Sequence, residues 1–179
     1  DLARLAQANG RLNGLAVGAV VGDVRTLPLA AGSFEHVMAN PPYLVAGNAT
    51  PSPRAGKTRA HLAADDGELA AWIAAGFQAL KSGGSMTLIH RADRLDAVLA
   101  GMASLGGGGV IFPLWPRAGT ASANRVIVQA TKDSRAPLRL SQGLVVHGAD
   151  NGYTEAAMAV LRGGRALTLT ARNFTETPP

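Results

Sequence analysis

The tetrapeptide Asn40-Pro41-Pro42-Tyr43 directly follows the segment Phe34–Ala39 (FEHVMA). This segment predicts a short buried strand, and the prolines end it because neither can donate a hydrogen bond to a sheet ladder. Each proline also keeps the residue before it out of the helical region, so Asn40 and Pro41 are held extended just past the strand. We therefore expect a rigid corner at the carboxyl end of a strand.

The chemistry of this corner suits a planar amino group. Such a group has two N–H donors, which the side-chain oxygen of Asn40 and the carbonyl of Pro41 can accept. The phenol ring of Tyr43 can cover the face of an aromatic base. The corner thus predicts a pocket for methylating an exocyclic amine. The alternative is a proline-rich strand exit with no catalytic role.

The tetrapeptide is similar to a motif of class I, S-adenosylmethionine-dependent methyltransferases that act on adenine N6, guanine N2 or glutamine N5. The chain also resembles the bacterial tRNA1(Val) adenine-N6 methyltransferase-like family along nearly its whole length. Four further segments carry this closer resemblance: LIHRADRL at 88–95, FPLWP at 112–116, RVIV at 125–128 and RAPLRL at 135–140. The tetrapeptide says little about the substrate, whereas the longer set is specific for the family.

The resemblance implies a Rossmann-like α/β methyltransferase domain over residues 1–179, with 141–179 as a C-terminal extension of it. It implies S-adenosylmethionine as cofactor and tRNA as substrate. The implied catalytic residues are Asn40, Pro41, Pro42 and Tyr43. The implied cofactor-binding residues are Asp23, Val24 and Asn40, with Asp23 accepting from the adenine amino group. Gly22-Asp23 is also explained by turn chemistry alone.

The charge balance favours a polyanionic partner, although many basic domains bind none. The chain has 17 Lys+Arg against 12 Asp+Glu, a formal net charge of +5. The candidate phosphate contacts are Arg54, Lys57 and Arg59 in the loop 44–64, and Lys132, Arg135 and Arg139 nearer the tail. The loop is equally well explained as a solvated segment that carries charge for solubility.

Other function classes are disfavoured by composition. The chain has no cysteine, which excludes disulfides and gives no sign of an oxidising compartment. Since no apolar run approaches the ~20 residues of a membrane span, we expect a cytoplasmic enzyme without a membrane partner. The four histidines show no metal-ligand spacing, so no metal site is expected.

Hydrophobic periodicity predicts a largely parallel α/β sheet. The predicted strands are 16–22, 34–39, 85–90, 110–114 and 125–130, with a further short strand at 144–147. The predicted helices are one that ends at Asn9-Gly10, one that runs from the region of Leu69 to a stop at Gly83-Gly84, one from Leu95 to Met102 and one at 154–161.

One expected feature of the fold is missing from the sequence. The chain starts at Asp1 within a helical pattern and has no Gly-x-Gly-x-Gly loop. We therefore expect an N-terminal truncation that lacks the first two strands and leaves these residues inactive on their own. Asp133 stands where the family has glycine, which predicts a local turn change. The remaining alternatives are methylation of another planar nitrogen (protein glutamine N5 or guanine N2 in RNA) and a non-catalytic RNA-binding remnant.

Overall fold

The computed structural model describes residues 2–42 and 66–169 as a mixed α/β structure. Six strands form one sheet: β1 (Phe34–Ala39), β2 (Leu80–Arg91), β3 (Gly106–Arg117), β4 (Arg125–Lys132), β5 (Arg139–Leu140) and β6 (Leu144–His147). Four helices accompany it: α1 (Leu2–Leu12), α2 (Asp66–Ala79), α3 (Leu95–Met102) and α4 (Glu155–Leu161). Two 3₁₀ turns lie at Val24–Thr26 and Ala92–Arg94. None of these helices is long and apolar enough to cross a bilayer.

The strand order is β1-β2-β4-β3-β5, with β6 also paired to β3. The described sheet is largely parallel, as expected, except at its centre, where β4 runs antiparallel to both β2 and β3. Only residues 118–124 connect β3 to β4, too few for the crossover that a parallel pair requires. By contrast, α3 forms the crossover between β2 and β3. The carboxyl ends of β1, β2, β3 and β6 therefore meet the start of β4 at one edge, which we call the carboxyl edge.

One face of the sheet is covered by α2 and α3. Leu69, Ile73 and Phe77 recur every fourth residue of α2 and are buried against alternate residues of β2, such as Met86 and Leu88. The remaining members of this main core come from β2, α3 and β4: Leu80, Val98, Met102, Val126, Val128 and Ala130.

A smaller core lies on the opposite face. It consists of Val110 and Phe112 of β3, Leu144 of β6 and Ala157 of α4. Strand β6 and helix α4 thus attach the region predicted as a C-terminal extension to the same sheet.

The predicted strand at 16–22 is wrong. Residues 15–23 have no regular secondary structure, and Leu15, Val20 and Val21 are 63%, 63% and 80% exposed. A strand is stabilised by a paired neighbour. Among the described strands, β1 pairs only with β2, so no ladder extends to this segment. An apolar run is therefore not sufficient to form a strand when no partner strand is available to it.

The glycines predicted as helix stops have other roles. Helix α1 runs through Gly10 to Leu12, and α2 ends at Ala79, ahead of Gly83-Gly84, which lie within β2. The glycine run at 106–109 opens β3. A Cβ on Gly109 would lie 1.8 Å from the Gln129 carbonyl oxygen, so only glycine permits this approach to β4.

Candidate active site

Asn40 lies at the carboxyl edge, as predicted. Strand β1 ends at Ala39, Asn40 is exposed, and Pro41 is fully buried. Because β1 is parallel to β2 and Ala39 pairs with Leu88, Asn40 falls level with Ile89. The prolines therefore anchor the corner while the Asn40 carboxamide remains accessible. Tyr43 lies outside the described residues.

A histidine that sequence reasoning treated only as a rejected metal ligand lies behind this corner. His90 is 2% exposed and follows Met86 and Leu88 on the core side of β2. Burial lowers the pKa of His90, and the nearby backbone of Arg91 and Pro42 offsets part of that shift. A neutral imidazole thus contacts the second proline of the corner. His90 follows Met86 and Leu88 at every second residue of the strand, and this period of two is the sequence signal that its side chain faces the core.

Asp23 and Val24 are not brought to the carboxyl edge. Asp23 caps the 3₁₀ turn Val24–Thr26, and its Oδ1 accepts a hydrogen bond from the Arg25 backbone N–H at 2.8 Å. Val24 lines a small depression with Ala75 and Ala79 of the last turns of α2. Because α2 leads directly into the start of β2, this depression lies at the end of the sheet away from the carboxyl edge. The turn chemistry left open by the sequence is therefore observed, and a cofactor role for Asp23 and Val24 stays a prediction.

The basic residues predicted near the tail lie away from the Asn40 corner. Lys132 ends β4 and donates to the Leu80 carbonyl at 2.7 Å, and Arg139 pairs with Val110 at the start of β3. Exposed Arg135 lies in the connection between these strands. Along the strand direction Lys132 is about 17 Å from the level of Asn40. Arg139 is only about 7 Å from that level, but it lies on β5, at the far side of the sheet from β1. Arg54, Lys57 and Arg59 lie outside the described residues.

Sequence reasoning missed three arginines at the carboxyl edge. Arg91 and Arg125 are register partners at the ends of β2 and β4, and Arg117 ends β3. Arg91 forms an ion pair with Asp93, which lowers the pKa of Asp93, and Arg117 donates a hydrogen bond to the Asn151 side chain. Arg91 ends the segment LIHR, Arg125 begins RVIV, and Arg117 directly follows FPLWP. They give positive charge to the edge that presents Asn40.

Within residues 2–42 and 66–169, no cluster of histidine and acidic side chains has the geometry to hold a metal ion.

Comparison with solved structures finds this fold in methyltransferases. A predicted O-methyltransferase, Atu636 from Agrobacterium tumefaciens, superposes with a TM-score of 0.73 at 24% identity, over 95% of this chain and 76% of its own. The PH0226 protein from Pyrococcus horikoshii superposes with a TM-score of 0.51 at 11% identity, over 74% of this chain and 68% of its own. The Thermus thermophilus 16S rRNA N2 G1207 methyltransferase, in complex with AdoMet and guanosine, gives a TM-score of 0.45 at 19% identity, over 75% of this chain and 29% of its own.

No family model and no curated protein sequence matches the chain. The structural likeness shows that the chain has the Rossmann-like fold of class I methyltransferases, as the sequence predicted.

Proposed function

We propose that this chain belongs to an S-adenosylmethionine-dependent N-methyltransferase that acts on the exocyclic amine of a nucleobase, adenine N6 in tRNA. One observation carries the proposal: Asn40-Pro41-Pro42 ends β1 at the carboxyl edge. Open α/β sheets bind their ligands at the carboxyl ends of the strands. The corner therefore lies at the edge where open α/β sheets bind their ligands.

The residues of the corner would align the acceptor amine. The exposed Asn40 side-chain oxygen would accept one of its N–H donors, and the Pro41 carbonyl, which is buried in this structure, would accept the other once substrate binding exposes it. Both contacts direct the nitrogen lone pair away from them. Tyr43 would stack on the base, a contact worth ~1–3 kcal/mol. The amine loses its proton after methylation, so no strong general base is needed.

The described residues fit one side of the cofactor. When bound, S-adenosylmethionine supplies an electrophilic methyl group, and exposed Asn40 is placed to present an amine to it. The acidic contact implied for its adenine, Asp23, hydrogen-bonds within its own turn in this structure. The described chain thus provides the acceptor side of the reaction, with Asn40 as its central residue.

Positive charge supports a nucleic-acid substrate. Arg117 and Arg125 lie at the edge that carries Asn40, where they can contact phosphates flanking a target nucleotide. Lys132, Arg135 and Arg139, which lie away from the Asn40 corner on β4, β5 and the connection between them, would form a second contact on a substrate as large as tRNA. Such contacts position an RNA and carry no sequence information.

The proposal is tested by measuring methyl transfer from labelled S-adenosylmethionine to unmodified tRNA transcripts, with the full-length natural chain as the enzyme. Nucleoside analysis by mass spectrometry should find N6-methyladenosine. Label in guanosine or in protein glutamine would instead favour another planar nitrogen. RNA binding with no transfer to any acceptor would favour the non-catalytic remnant.

A further inference from the structure

A cleft of about 470 Å³ opens between helix α4 and the face of the sheet opposite α2 and α3. Its walls are mainly apolar, formed by Ile89 of β2, Ile127 of β4, Leu114 of β3 and Val160 of α4. The volume and the apolar lining are typical of small-ligand sites. The cleft can therefore hold a flat ring of the size of a nucleobase.

Aromatic and polar groups surround this apolar interior. His147 and Tyr153 both line the cleft, and their rings are stacked with centroids 5.0 Å apart and planes 21° from parallel. Tyr153 is 47% exposed, so part of its surface is available to a ligand. Arg125 lines the same cleft and brings positive charge to it.

Polar side chains in the wall favour a ligand with hydrogen-bonding groups. Asn124 and Arg125 both line the cleft. A heterocycle with ring nitrogens and amino groups suits such a wall better than a hydrocarbon does.

The cleft lies beside the Asn40 corner. Ile89, in its wall, is level with Asn40 in the parallel pair of β1 and β2. Neighbouring strands are ~4.8 Å apart, so the near wall of the cleft is one strand spacing from the corner. From there it extends across β4 and β3 to His147.

We infer that this cleft binds an unstacked nucleobase of the RNA, one that neighbours the target nucleotide, and so contributes to the choice of substrate. The inference rests on the function proposed above and names a second base site for it. Proteins that read single-stranded RNA commonly stack splayed bases on aromatic side chains and bond to their edges. The Tyr153–His147 pair, the apolar walls and the adjacent Arg125 provide these elements together.

The inference is tested with fluorescein-labelled single-stranded RNA pentamers that contain 2-aminopurine, a fluorescent adenine analogue, and the full-length chain. In Tyr153→Ala the stacking ring is removed, and in Val160→Trp the cleft is filled. The matched controls are Tyr153→Phe, which keeps the ring, and Met158→Trp on the same helix outside the cleft. Circular dichroism melts select the variants that fold.

We expect Tyr153→Ala and Val160→Trp to weaken pentamer binding about tenfold, while both controls bind like the wild type. The 2-aminopurine fluorescence should fall on binding to the wild type and remain high with Tyr153→Ala. In methyl transfer the same two variants should raise KM for tRNA and leave kcat unchanged.

Wild-type binding and fluorescence in Tyr153→Ala would overturn the inference, even if Val160→Trp fails to fold. Normal methyl transfer by that variant would then leave the proposed function standing. Conversely, cleft-dependent RNA binding without any methyl transfer would support the base site and contradict the proposed function.

Discussion

The buried ring of His90 in β2 lies beside the backbone of Pro42, in the corner that follows the neighbouring strand β1. The two residues are 48 positions apart in the sequence and meet across the parallel pair of β1 and β2. A neutral imidazole in the core thus lies directly behind the candidate methyl-transfer corner.

The first prediction concerns pH and stability. Because burial lowers the folded-state pKa of His90 below its ordinary value of 6.5, the unfolded chain takes up this proton more readily. The contribution of neutral His90 to the free energy of unfolding should be complete above about pH 6.5 and should be lost as the pH drops below that value. Urea unfolding from pH 5 to 8 measures this slope.

In His90→Gln the part of the slope that belongs to His90 should disappear. The control is His36→Gln, at an exposed histidine that hydrogen-bonds to Ser85 Oγ at 2.8 Å. This variant should retain the part of the slope that belongs to His90. An identical pH profile in wild type and His90→Gln would show that His90 is not buried in its neutral form.

The second prediction concerns the turn after β4. Asp133 has φ +61, in the left-handed region, where glycine is free of Cβ strain. Asp133 thus adopts a left-handed conformation, which Asp tolerates better than most residues other than glycine. We expect Asp133→Gly to raise the free energy of unfolding by about 0.5–1 kcal/mol and Asp133→Ala to lower it. A stabilised Ala variant in thermal melts would contradict this strain argument.

The third prediction concerns salt. If RNA phosphates contact Arg125 at the carboxyl edge and Arg139 on the outer strand β5, each replacement by Gln should lower the slope of log affinity against log salt by about 0.7–0.9. Both variants should weaken unrelated RNAs alike, since backbone contacts carry no sequence code. Arg11→Gln, on exposed α1, is the control. Affinity that is flat with salt would point to a protein or small-molecule substrate.

Local chemistry made some elements predictable from the sequence. The two prolines end β1 whatever surrounds them. The apolar residues that recur at helical spacing in 69–80 and 95–102 predict two helices that each bury one face against the sheet. The short β6 and α4 of the tail were predicted from the same kind of pattern and are confirmed.

Features that depend on distant partners were not predictable. Residues 16–22 have the composition of a strand, but the sequence does not say which strand would pair with them. The direction of β4 is an exception, because the short stretch between the predicted strands 110–114 and 125–130 already favours an antiparallel pair; this direction carries Lys132 to the edge opposite Asn40. For the same reason Arg91 and Arg125, 34 positions apart in the sequence, become neighbours that no linear motif reveals.

The most direct test of the account is the methyl-transfer rate of Asn40→Ala in the full-length chain, measured with labelled S-adenosylmethionine and tRNA. Losing one preorganised polar contact at the reacting amine should reduce kcat by ~10² or more, with far less change in cofactor affinity. Asn13→Ala, at the exposed end of α1, should retain normal turnover. Near-normal turnover in a folded Asn40→Ala variant would remove Asn40 from catalysis and contradict the central claim.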